Sequence, residues 1–322
     1  MKYILLLLIL TNIFADNILT NYRINGIADI EKQMDKELAK EEYWNDILKN
    51  KDTTFGYIEA YSNILTCDKS KSKLDLYSLD KNKDFKHKKA YDAFTGKHKG
   101  DKIKEGDLKT PIGIYQITKK LSKNTKLDSF YGPLAFVTSY PNLYDSYRGR
   151  DGDGIWIHGL PTNQSRDDFT RGCIAINNSS IECLDRNIDI SKTILIINDT
   201  KVKQDVSKKA LATILAQLYA WRYNWIYDDI NGYLSFYSNE FVKDDGMNFK
   251  DFKSYKARIF QKNERKSIVF NNINIFPYPN TSNIYQINFK EFYKSDTFKF
   301  EGDKTLIVEL DKSNKIRILT EK

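Results

Sequence analysis

Three histidines and three cysteines are spread over 322 residues, and neither set is spaced to hold a metal ion. His87 and His98 lie in lysine-rich stretches that read as solvated surface, and no H-E-x-x-H pair is present, which argues against a zinc peptidase. Asp151-Gly152-Asp153-Gly154 has the start of a calcium loop but none of its later ligands, so it reads as a turn. No glycine-rich phosphate loop occurs, and no cofactor or metal is implied. The chain also lacks an arginine-rich helix, zinc-finger spacing and an RNP-type aromatic motif, so nucleic acid is not an expected partner. Internal repeats and low-complexity linkers are absent.

Long apolar runs are confined to the first fifteen residues. Lys2 supplies a short positive region, Tyr3 to Leu10 an apolar one, and Ile13-Phe14-Ala15 a small residue ahead of Asp16. This pattern reads as a secretory signal peptide over 1–15, too short for an ordinary membrane span. No cysteine stands at the cleavage site, which argues against a lipoprotein, and no later segment is apolar enough to cross a bilayer. An exported chain with an odd cysteine count keeps at least one thiol unpaired. Cys67, Cys173 and Cys183 are either all free, or one pair forms; if Cys173 is the free thiol, Cys67 and Cys183 remain to pair.

What is present is ample core material: 41% hydrophobic and 13% aromatic residues, with 21 Tyr and 18 Phe. The net charge of +8, spread along the chain, either solubilises the surface or draws it to an anionic polymer such as a cell wall. Ile30, Met34, Leu38 and Tyr43 mark one face of a helical segment from about Ala28 to Lys49, within an N-terminal region 16–53. This segment is expected to pack on the body or on a second copy of the chain, as in a homodimer. From Thr54 the pattern turns to short apolar runs between Lys/Asp/Gly turns: Tyr57–Tyr61, Leu74–Tyr77, Ile112–Ile117 and Thr193–Ile197. Residues 54–199 are taken as one mainly β domain. Leu211, Ile214, Leu215, Leu218, Trp221 and Trp225 then recur at helical spacing behind an N-cap at Asp205 or Ser207. A second helical stretch covers Phe249 to Lys262, and strand-like runs follow at Ser267–Phe276, Ile284–Tyr293, Lys304–Leu310 and Lys315–Leu319. Residues 205–322 thus read as an α+β cone, and the whole chain as α+β.

The stretch with chemistry in it runs from Gly154-Ile155-Trp156-Ile157-His158-Gly159 to Thr170-Arg171-Gly172-Cys173-Ile174-Ala175-Ile176, with His158 and Cys173 fifteen residues apart. A thiol attacks a carbonyl as thiolate, and an imidazole can take its proton. Gly172 lets backbone approach closely, so N–H groups beside Cys173 can face an oxyanion. The Gly159 carbonyl is available to orient the imidazole. Trp156 and His158 share a strand face, where Trp156 walls a substrate site or fills core; the wall reading is favoured.

His-Gly, about fifteen residues, then Ser/Thr-x-Gly-Cys resembles the signature of the L,D-transpeptidase (YkuD-like) catalytic domain. Upstream, Gly96 and Gly106-Asp107-Leu108-Lys109-Thr110-Pro111-Ile112-Gly113-Ile114-Tyr115 look like that family's G-D-x-x-T-P-x-G-x-Y segment. The resemblance implies a Cys173 nucleophile, a His158 base held by the Gly159 carbonyl, and an oxyanion hole from the Gly172 and Cys173 N–H groups. Thr170 stands where the family has Ser or Thr. Two positions depart: Arg171 replaces a His, where it either meets a substrate carboxylate or lies on the surface, and Ala175 replaces an Arg. With its C-terminal extension, which resembles an NTF2-like module carrying Trp221, Trp225, Tyr233, Phe236 and Tyr237, the chain looks closest to the periplasmic L,D-carboxypeptidases that set cell shape in helical Gram-negative bacteria. That implies muropeptides of peptidoglycan as partners and trimming of tetrapeptide stems to tripeptides. The alternatives are a transpeptidase making 3-3 crosslinks and a wall-binding scaffold without activity.

Overall fold

The computed structural model describes residues 18–162, 167–200 and 206–322. The signal peptide expected at 1–15 and the Asp205 cap lie outside them. The α+β class holds, with a β-barrel followed by helices and a second sheet.

The stretch from Ala28 to Lys49, predicted as one helix, is split between α1 (Ile27–Leu38) and α2 (Glu41–Leu48), with Lys40 extended between them at φ −99°, ψ 135°. They dock on the C-terminal half. Trp44 and Leu48 enter its core beside Leu211, Leu215 and Tyr219, and Trp44 stacks on Tyr219 at 5.2 Å. Asp35 pairs with the buried Arg222 guanidinium and accepts the Tyr227 hydroxyl at 3.0 Å.

The strand expected at Tyr57–Tyr61 reduces to β1 (Tyr57–Ile58), and it leaves the domain to which its position assigned it. Tyr57 pairs with Ile275 and Ile58 with Asn274, inside the C-terminal sheet. Two strand-forming residues find their backbone partners wherever an edge is open, and sequence position does not say which sheet offers it.

The barrel closes from eight strands: β2 (Asn63–Asp68), β3 (Lys73–Leu79), β4 (Phe85–Phe94), β5 (Gly113–Ser122), β6 (Leu134–Thr138), β7 (Trp156–His158), β8 (Ile174–Ile176) and β9 (Thr193–Asn198). Their order is β2-β3-β4-β8-β7-β6-β5-β9, closed by the parallel pairing of β9 with β2. Side chains alternate along β9. Leu195 and Ile197 face the barrel core with Leu65, Tyr115 and Phe136. Ile194 and Ile196 face outward, yet are also buried, because Phe276, Ile284, Ile307 and Leu319 of the C-terminal sheet cover them. A strand covered on both sides reads as an unbroken apolar run, which is what Thr193–Ile197 is.

Between the barrel strands lie α3 (Leu143–Tyr147) and α4 (Asn178–Asn187). The C-terminal half starts with α5 (Lys208–Ile226), capped by Ser207, whose hydroxyl accepts the Ala210 N–H. It continues through α6 (Ile230–Leu234) and α7 (Phe249–Phe260) to β10 (Ser267–Pro277), β11 (Ile284–Lys294), β12 (Lys299–Leu310) and β13 (Ile316–Glu321), an antiparallel sheet in chain order. Trp221, Tyr233, Phe252 and Ile287 fill the space between helices and sheet. Each large side chain buried this way contributes about 2–3 kcal/mol. Among the described residues no helix is long and apolar enough to cross a membrane.

Candidate active site

Strands β7 and β8 run parallel, with Ile157 opposite Ile174 and His158 opposite Ala175. Cys173 stands one residue before β8, and its thiol lies against the backbone of Gly154 and Trp156 at the start of β7. Pairing two very short strands thus brings Cys173 and His158, fifteen residues apart in sequence, onto adjoining segments.

His158 is 3% exposed, and its Nδ1 lies 2.6 Å from the Gly159 carbonyl oxygen. A carbonyl can only accept, so Nδ1 carries the proton and Nε2 keeps its lone pair. This is the tautomer a base needs. The Cys173 thiol is half-buried and donates to the Gly154 carbonyl at 3.3 Å. Burial pushes it above its ordinary value, while the Trp156 N–H and the Lys102 charge pull the other way. A thiol raised by burial needs a base to ionise it.

The loop before Cys173 is held at several points. The Thr170 hydroxyl donates to the Cys173 carbonyl at 2.6 Å and accepts the Gly172 N–H at 3.1 Å. Of the two N–H groups expected in the oxyanion hole, that of Gly172 therefore has an internal partner. Gly172 has φ +138°, and a Cβ there would stand 2.9 Å from the Lys109 carbonyl oxygen. Thr170 also bridges to Gly96, whose N–H donates to the buried Thr110 hydroxyl at 2.8 Å. The upstream segment thus carries the Cys173 loop. Asp107 ties that segment down: the N–H groups of Ile103, Lys104 and Lys109 and the Lys102 ammonium converge on its carboxylate. Burial works against the charge, but these donors outweigh it and hold the carboxyl at about 2. Farther on, Tyr115 donates to buried Asp145 at 3.0 Å, and a Cβ on Gly113 would overlap the Tyr115 and Tyr278 hydroxyls.

Trp156 is partly buried, with the Tyr131 ring 4.8 Å away; Tyr131 also meets the His158 ring edge-on at 5.1 Å. Arg171 is exposed and lies near enough to act on the Tyr131 hydroxyl electrostatically. Ala175 is fully buried between β4 and β7. Tyr131, Lys102 and Asn178 escaped the sequence reading. Tyr131 sits on a one-turn helix, Ser129–Tyr131, outside both motif blocks, and only the tertiary fold brings it to His158.

All three cysteines are free. Cys67 is buried inside the barrel, where desolvation pushes its thiol to about 12. Cys183, on α4, accepts from Lys89 at 3.1 Å, so it is spoken for by an ammonium and not by Cys67. His87 pairs with Asp75 at 2.8 Å on the barrel surface. In the C-terminal half, Trp221, Tyr233 and Tyr237 are core, and a cavity of about 580 Å³ opens beside Trp225, Lys256, Tyr293 and Lys304. Burial lowers Lys256 to about 8.

A barrel that presents a buried imidazole, fixed in one tautomer, and a cysteine on adjoining segments has the parts that a thiol-dependent acyl-transfer site is built from. The chain belongs to the L,D-transpeptidase family: residues 62–197 match the L,D-transpeptidase catalytic domain, and the solved structures below extend the likeness over most of the chain. Residues 213–322 match the Cds6 C-terminal NTF2-like domain. The helical cell shape determining protein Pgp2 of Campylobacter jejuni is 38% identical, over 88% of this chain and 99% of its own, with a TM-score of 0.80. Bd1075 of Bdellovibrio bacteriovorus is 26% identical, over 84% of this chain and 97% of its own, with a TM-score of 0.67. No curated protein sequence matches the chain.

Proposed function

We propose that the protein is a periplasmic peptidoglycan L,D-carboxypeptidase that removes the terminal D-alanine from tetrapeptide stems and so contributes to cell shape. The observation that carries the reading is the His158 Nδ1 to Gly159 carbonyl contact, at the end of a strand paired with the one that Cys173 precedes. His158 Nε2 takes the thiol proton, and Cys173 Sγ attacks the carbonyl of stem residue three. The Cys173 N–H steadies the oxyanion. The C–N bond breaks, His158 returns the proton to the departing D-alanine amine, and a thioester remains. Water, deprotonated by His158, then cleaves the thioester to tripeptide and free thiol. Trp156 and Tyr131 wall the site, and Arg171 beside them offers a cation to the substrate carboxylate. Likeness to Pgp2, whose name is a cell-shape determinant, supports the role in shape. Ala175 in place of a guanidinium supports hydrolysis over crosslinking.

Exposed Leu19, Tyr22, Ile24 and Ile27 support pairing of two copies through the N-terminal helices, which sedimentation of the purified protein tests.

The central test is incubation of purified protein and Cys173→Ala with disaccharide-tetrapeptides, read by chromatography and mass. Tripeptide and D-alanine formed by the wild type alone are the expected result. Cys173-dependent crosslinked dimers instead make it a transpeptidase, and no turnover leaves a wall-binding scaffold.

A further inference from the structure

Asn178, the first residue of α4, sends its side chain back to the histidine loop. Its Oδ1 accepts the Leu160 N–H at 2.7 Å. Because an N–H can only donate, this contact fixes which end of the amide faces the loop. The Leu160 N–H and the Gly159 carbonyl belong to one peptide group, which is planar. One edge of that plane is held by Asn178, and the other holds His158 Nδ1 at 2.6 Å. Space for the contact comes from two glycines: a Cβ on Gly132 would stand 2.6 Å from Asn178 Oδ1, and one on Gly159 would overlap it. The anchor is firm, because Ile181 and Leu184 of α4 are fully buried in the barrel core. Asn178 is also five residues from Cys173, across β8. A single short run therefore carries the nucleophile at one end and a hold on the base at the other.

We propose that Asn178 is a positioning residue for the His158 base, acting through the Gly159–Leu160 peptide group. This rests on Cys173 and His158 being nucleophile and base. Accepting the Leu160 N–H orients the peptide and polarises it, so the Gly159 oxygen becomes a stronger acceptor for His158 Nδ1–H. A stronger acceptor favours the imidazolium that forms when the Cys173 proton is taken. Asn178 thus does through a peptide group what a carboxylate does directly in a serine-protease triad.

The test uses the full mature protein with Asn178→Leu, Asn178→Ala and Asn178→Asp. The rate of Cys173 alkylation by iodoacetamide is followed against pH by peptide mass, together with kcat and KM on disaccharide-tetrapeptide. In the Leu and Ala variants the rising limb of the alkylation profile moves to higher pH, and kcat falls about tenfold or more with KM nearly unchanged. Asn178→Asp keeps the acceptor oxygen and stays within a few-fold of wild type. An unshifted alkylation profile in the Leu and Ala variants overturns the proposal, and so does an Asp variant as impaired as they are. Alkylation needs no muropeptide, so failure of the substrate assignment leaves this result readable.

Discussion

The Thr170 hydroxyl bonds both the Cys173 carbonyl, at 2.6 Å, and the Gly172 N–H, so one side chain sets the turn that presents Cys173. Thr170→Val keeps the shape and loses both bonds in a buried position. It is expected to cost about 1–3 kcal/mol in chemical denaturation and to lower turnover, whereas Thr170→Ser retains most of both.

Gly172→Ala combines a backbone at φ +138° with a Cβ 2.9 Å from the Lys109 carbonyl. A loss of about 1–3 kcal/mol is expected, read as a shifted denaturation midpoint. A midpoint equal to wild type would show that the loop relaxes without cost.

Asp107 is held at about 2 against an ordinary 3.8. A depressed carboxyl stabilises the fold above its unfolded value and loses that contribution as pH falls through the folded one. The stability gap between wild type and Asp107→Asn is therefore full above about pH 4 and closes toward pH 2. Denaturation at a series of pH values checks it; a gap independent of pH contradicts the charge-based account.

Lys89 draws the Cys183 thiol below its ordinary value. Iodoacetamide should label Cys183 at pH 7 long before the buried Cys67. Lys89→Met raises the thiol, so labelling at Cys183 slows at pH 7 and recovers at pH 10, where the thiolate predominates in both proteins. Peptide mapping by mass reads this directly.

The candidate site was legible as a pattern because it depends on residue types at fixed spacing. His158-Gly159 and Thr170-x-Gly172-Cys173 each lie within a few residues of sequence. The helices at 208–226 and 249–260 and the four C-terminal strands followed from local periodicity in the same way. Helix α4 was not seen, since a single buried turn at Ile181 and Leu184 leaves too little pattern. Tyr131 and Asn178 carried no local signal, because what they touch lies elsewhere in the chain.

The sequence by itself determined the family motifs around His158 and Cys173, the α+β class and the order of the two folded units, all properties of side-chain identity and near-neighbour pattern. The tertiary structure alone decided that Tyr57 and Ile58 join the far sheet, that the N-terminal helices complete the C-terminal core, and that Cys183 meets Lys89. Backbone edges and apolar faces carry no label for a distant partner; they are satisfied only when the whole chain has packed.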